Sequence, residues 1–202
     1  MIDFSKGLPG RAWDSLRGKA EALRRSVAGV AAVEFALVLP VMVAMLLGMS
    51  EVTLGVNIDR KLTLLSRSLA DLTSRPKSLT PAKLDEFFKA ASVIMQPFDA
   101  AQMKMTVTSM KVTKVGSNFN GTVDWSCARG SGATTKPKNV NYPVPSGFQT
   151  DGTYYILVDV SLPYTPMFGK AISGTINLSE STPWPVRNNT RVELPSGCPS
   201  ST

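Results

Sequence analysis

Residues 27–50 read VAGVAAVEFALVLPVMVAMLLGMS, an apolar run of 24 residues with one charged side chain, Glu34. A bilayer core takes about 20 apolar residues in a helix, so this run is long enough to span one. Its flanks give the direction. Lys6, Arg11, Arg17, Lys19, Arg24 and Arg25 come before it. Glu51 and Asp59 come first after it, with Arg60 and Lys61 following. An excess of Lys and Arg on one side of a span keeps that side in the cytoplasm. The chain thus reads as a single-pass membrane protein with a basic N-terminus inside and the remainder exported.

Three processing readings compete at this run. Gly48-Met49-Ser50 offers a small-x-small match for the ordinary signal peptidase, but the apolar region exceeds the usual ~7–15 residues of a secretory signal. Arg24-Arg25 resembles a twin-arginine signal, a pair that recurs by chance. The third reading rests on Glu34. A carboxylate at the centre of a span costs about 2.5 kcal/mol or more and needs a partner. A cut between Gly29 and Val30 leaves a free ammonium on Val30 and makes Glu34 the fifth residue. Helical spacing of four puts both groups on one face. The carboxylate can then neutralise its own terminus or that of a neighbouring subunit. In an uncut anchor, Glu34 would instead snorkel to the interface.

A basic leader ending in glycine, an apolar helix and glutamate five residues on resemble the class III signal of type IV pilins and pseudopilins. The stretch AGVAAVEFALVLPVMVAMLLGMSE, with Phe35 next to Glu34 and Pro40 soon after, is similar to the TadE-like family of the Tad (Flp) pilus systems. The likeness extends to Ser68-Leu69-Ala70-Asp71-Leu72, the Thr80 to Asp99 stretch, Val123-Asp124-Trp125-Ser126, Val158-Asp159-Val160, Tyr164-Thr165-Pro166 and Thr190-Arg191-Val192-Glu193. It implies a minor pilin or pseudopilin of the bacterial inner membrane, with its C-terminal domain in the periplasm. Gly29 and Val30 would be the processing site of a prepilin peptidase. Glu34 and Phe35 would be subunit-pairing residues, and the partners would be other pilin and pseudopilin subunits of the Tad apparatus. An uncleaved, membrane-anchored periplasmic binding or sensing module is the alternative.

The expected organisation is a leader over 1–29, a transmembrane and extended helix over 30–75, and a periplasmic α+β domain over 76–202. No proline interrupts Val52 to Thr73, and Leu62, Leu65, Leu69 and Leu72 recur at helical steps. One helix is therefore expected from Val27 to Thr73, bent at Pro40; a break near Gly55 is the competing possibility. Arg75-Pro76 ends it. Thr80 as N-cap and Pro81 at the first helical position open a second helix, with Asp85 and Glu86 in its early turns. Leu84, Phe87, Phe88, Ala91, Ile94 and Met95 form its apolar stripe, and Pro97 stops it. Period-two alternation then predicts a strand from Met103 to Val115, a turn over Gly116–Gly121, and a second strand from Thr122 to Cys127. A long loop over 128–153 follows. Further strands are expected at Tyr154–Pro163, Ile172–Ser179 and Thr190–Leu194. The result is a small antiparallel sheet with packed helices, behind a long N-terminal transmembrane helix.

The chain has 202 residues, no histidine and a net charge of +7. Without histidine, the commonest neutral-pH base and metal ligand is absent. No carboxylates converge in a catalytic motif, so no enzyme, cofactor or metal is expected. The basic residues are dispersed, with no Lys/Arg run interleaved with aromatics, so no nucleic-acid partner is expected. Cys127 and Cys198 are too far apart for a redox motif and too few for zinc. In an oxidising compartment they can form a disulfide, closing a loop worth about 4 kcal/mol on the chain-entropy account; two separate buried thiols are the other reading. Trp125, Tyr154, Tyr155, Tyr164, Phe168 and Trp184 read as core or rim packing rather than a ligand cleft.

Overall fold

The computed structural model describes residues 17–19, 21–22, 27–167, 174–187 and 191–199. Its first element is helix α1, Val27–Ser74, which runs without interruption through Pro40 and Gly55. The chain divides into two compact units, Met1–Ser50 and Glu51–Thr202. The first contributes the apolar half of α1. Among the described residues, the hydrophobic core clusters lie in the second.

Within the second unit, α1 buries the stripe that its sequence spacing marks out. Leu62, Leu65 and Leu69 are wholly buried, as are Ile58 and Ala70, while Leu72 is only half-buried. Ser66 shares this buried face and is satisfied by the Thr182 hydroxyl at 2.8 Å. Helix α2, Pro81–Val93, begins as expected: the Thr80 hydroxyl accepts from the Lys83 amide, and Pro81 occupies the first turn. Asp85 and Glu86 lie beyond that first turn and are used in ion pairs, Asp85 with Lys89 and Arg129, Glu86 with Lys83. The helix buries Leu84, Phe88 and Ala91, with Met95 just after its end. Lys61 of α1 donates to the carbonyls of Ile94 and Gln96. It thereby supplies donors at the end of α2 where the backbone cannot.

The sheet is antiparallel, with strand order β3-β2-β1-β4-β5. The strands are β1 (Lys104–Val115), β2 (Asn118–Arg129), β3 (Tyr142–Pro143), β4 (Tyr154–Tyr164) and β5 (Ile176–Pro185). A bulge in β2 decides how it is used. Ser109 pairs with Trp125 but Met110 with Val123, leaving Asp124 as the extra residue. Two residues of the same parity, Val123 and Trp125, therefore face opposite sides. Trp125 and Cys127 join Met105, Val107, Ile156, Val158 and Val160 in the core with the helices. Val123 joins Met110, Val112, Val144 and Tyr155 in a smaller cluster. Tyr155 is almost fully buried there, against the Phe148 ring, and burial pushes its phenol pKa above the ordinary value.

Several strand boundaries differ from the sequence expectation. The β1–β2 turn is only Gly116-Ser117, because Gly116 takes φ 63° and lets pairing resume at Asn118. The expected loop over 128–153 yields its first two residues to β2 and contains β3 and a short 3-10 turn at Ser146–Phe148. The expected strand Ile172–Ser179 begins at Ile176 and runs on to Pro185; Ile172 itself is outside the described residues. The strand includes Pro183 and Pro185 because β5 is an edge strand, where a missing N–H can be tolerated. No strand forms at Arg191–Leu194, and Thr190 is outside the described residues. That segment instead makes a single parallel bridge, Ser78 to Glu193, closed by Leu79 N–H to Glu193 O and Glu193 N–H to Lys77 O. Cys127 and Cys198 are disulfide-bonded across 71 positions of sequence, with Cα atoms 5.4 Å apart.

Two predictions concern this packing. Leu69→Ala should destabilise the domain by roughly 2–5 kcal/mol in thermal or urea unfolding, because Leu69 is 0% exposed. Leu46→Ala, on the same helix but 69% exposed, should leave that unfolding unchanged. Replacing both Cys127 and Cys198 by Ser should lower the melting temperature by on the order of 10 °C. Calorimetry of the folded variant should show this drop without loss of sheet signal in circular dichroism.

Candidate functional site

The apolar half of α1 exposes nearly every side chain. Residues 31–46 are all exposed, including Phe35, Leu37, Met42 and Met45. A continuous apolar surface of this length lies far beyond what a water-facing helix presents. Among the described residues, this is the one helix long and apolar enough to cross a membrane. Gly29 and Val30 are its third and fourth residues, so the Gly29–Val30 bond lies in its first turns. Glu34 follows Val30 by one turn, exposed on the helix surface, with Phe35 beside it. Arg24 and Arg25 are outside the described residues.

Residues 29–70 match the family model described as TadE-like protein. The matched TadE-like segment begins at Gly29, includes Glu34 and Pro40, and ends at Ala70. It thus runs along α1 from the exposed apolar half into the stripe of leucines buried in the second unit. The further likenesses, from Asp71 to Glu193, fall outside the match. No curated protein and no solved structure matches the chain. The TadE-like match and the single candidate span support a Tad-pilus-associated, single-pass membrane protein.

Several charged groups of the second unit hold segments together. Asp71, near the end of α1, takes ion pairs from Arg75 and Arg187. Asp124, the bulge residue, receives a two-pronged contact from Arg191 at 2.7 and 2.8 Å. This contact, together with the Trp125 indole N–H donating to Val192 O at 2.7 Å, fixes the C-terminal segment against β2. The Arg191 guanidinium is held above its ordinary pKa by that hydrogen bond and the Asp124 charge. Asp159 is engaged by Lys136 and Ser181. Of the aromatics, Trp125 and Tyr155 are core residues. Tyr154 and Trp184 pack partly buried against the core, and Phe168 is outside the described residues. Among the described residues, no three or more His, Cys, Asp or Glu side chains gather as metal ligands.

Sequence reasoning missed Glu51. Its carboxylate accepts from the Tyr164 hydroxyl at 2.8 Å and from the Met167 amide at 2.9 Å. The Tyr164 ring also lies 3.7 Å from where a Cβ on Gly55 would stand. Burial, followed by the contact with Glu51, pushes the Tyr164 phenol pKa upward. The available signal was the position of Glu51, the first charge after the apolar run. A carboxylate at such a boundary calls for partners, but separations of 113 and 116 positions in sequence concealed which they were.

The full-length chain should stay in the membrane pellet after alkaline carbonate washing. Placing two further charges in the apolar half, with Leu39→Arg and Leu46→Arg together, should move it to the supernatant. Each arginine adds about 2.5–3.5 kcal/mol to the insertion free energy near the centre of a span.

Proposed function

We propose that this chain is a minor pilin or pseudopilin, a structural and assembly subunit of a Tad-type pilus apparatus. The observation that carries the reading is the TadE-like match beginning at Gly29, with Glu34 one helical turn beyond Val30 on an exposed apolar helix. In this reading the basic leader stays in the cytoplasm and the domain from Glu51 onward enters the periplasm. The protein sits in the inner membrane until it is drawn into a filament. A prepilin peptidase cuts at Gly29–Val30. The new Val30 ammonium and the Glu34 carboxylate then compensate one another between adjacent subunits, removing the cost of an unpaired carboxylate in the apolar bundle. Phe35 packs beside that pair.

The exported domain serves as a contact module. Its partners are other pilins and pseudopilins of the apparatus, not nucleic acid, and it carries no reaction of its own. What supports this division of labour is that Asp71, Asp85, Asp124 and Asp159 of the domain are engaged in internal ion pairs.

N-terminal sequencing and intact mass of protein from membranes of cells with and without the prepilin peptidase test the proposal. A start at Val30 that depends on the peptidase is expected. Glu34→Ala should then abolish incorporation into filaments while leaving the melting of the exported domain unchanged. A start at Met1 in both strains overturns the proposal and makes the chain an uncleaved, membrane-anchored periplasmic module.

A further inference from the structure

The apolar surface of α1 does not stop at Glu51. Val52, Leu54 and Val56 continue it, all exposed, before Asn57, Asp59 and Arg60 restore polarity. Glu51 is thus a carboxylate set among apolar side chains at the edge of the span. Both its oxygens are satisfied by one segment of the domain, through the Tyr164 hydroxyl and the Met167 amide. That segment leaves β4 at Tyr164. Beside it, Ile176 opens β5, paired with Tyr164 and exposed. Met167 is 80% exposed, although it is a large apolar side chain in a domain with a well-formed core.

We propose that Val52, Val56, Tyr164, Met167 and Ile176 form a collar that rests in the headgroup region of the outer leaflet. The occupant of this surface is lipid, and the argument is continuity. The residue that receives the collar's hydrogen bonds is next in sequence to the apolar run, so the 164–167 segment is held at the depth where the hydrocarbon ends. Tyrosine suits this depth, with an apolar ring and a polar tip. Exposed methionine, valine and isoleucine beside it gain by leaving water. The Glu51 carboxylate keeps its partners there instead of facing the bilayer edge unaided. The Gly116-Ser117 turn lies at the opposite end of the sheet from the collar. Lys104 of β1 pairs with Ser161 near the collar, and β1 runs from there to the turn. The collar rests on the membrane-span reading and is independent of cleavage or filament entry.

The test uses the full-length chain in vesicles of phosphatidylethanolamine and phosphatidylglycerol at low protein-to-lipid ratio. The native cysteines are held in a disulfide, so Met167→Cys or Ile176→Cys can carry a single environment-sensitive nitrobenzoxadiazole label. Ser117→Cys serves as the distant reference. Shallow doxyl-labelled lipid should quench the label at 167 and 176 several-fold more than at 117, and aqueous iodide should quench it several-fold less. Equal iodide quenching at all three positions, with no response to doxyl lipid, overturns the collar. So does a label at 167 shielded from both quenchers, which would mean that protein, a second copy of the chain, covers the surface. Intact disulfide mass and unchanged melting identify correctly folded variants. The assay uses uncleaved protein, so a Met1 start in cells would overturn the pilin proposal and leave this result standing.

Discussion

The structure depends on a single helix satisfying two solvents in succession. In its first half α1 offers apolar side chains in every direction, which only hydrocarbon or other apolar helices can accommodate. In its second half the buried apolar side chains form one stripe, Ile58, Leu62, Leu65 and Leu69, and that stripe is part of the main core of the second unit. Among the described residues, the sheet and α2 share their main core with this stripe. Leu84 and Phe88 from one side, and Val107, Ile156 and Val158 from the other, join the same buried cluster as those leucines. Losing the stripe would leave the sheet with an uncovered apolar face, a state that small sheets do not sustain in water.

Polar contacts then fix segments with little regular structure of their own. The C-terminal segment has one bridge in place of a strand. It is held by the Asp124–Arg191 pair, the Trp125 indole and the Cys127–Cys198 bond. Each of these anchors comes from β2 around its bulge. An extra residue in one strand thus does two things at once: it turns Trp125 into the core and presents Asp124 to Arg191. At the other end of the domain, Glu51 gathers the chain that follows β4. Lys61 gathers the end of α2. Both belong to α1, so the helix that carries the candidate span also organises the nearest loops.

Sequence periodicity made the long helix, the second helix, the β1–β2 hairpin and β4 legible, because each buries a stripe or a face that recurs at its own period. The Thr80–Pro81 start was legible because capping is local chemistry. The edges of the sheet were not. The extension of β5 through Pro183 and Pro185 depends on its being an edge, a property of strand order rather than of the strand. The bulge at Asp124 is invisible to a strict alternation of two. Residues 191–194 have the composition of a strand, but β2 and the α1–α2 connection offered only one bridge's worth of backbone.

By itself the sequence determined the apolar run, its charge asymmetry, the Gly29, Val30, Glu34 and Phe35 arrangement, and the α+β class, since all of these follow from side-chain chemistry over short spacings. The tertiary structure alone decided that Glu51 belongs with Tyr164 and Met167 and that Asp71 binds Arg187. Each of these joins residues tens of positions or more apart. Such pairs are selected by which surfaces the burial of the leucine stripe brings together, and no local pattern encodes that choice.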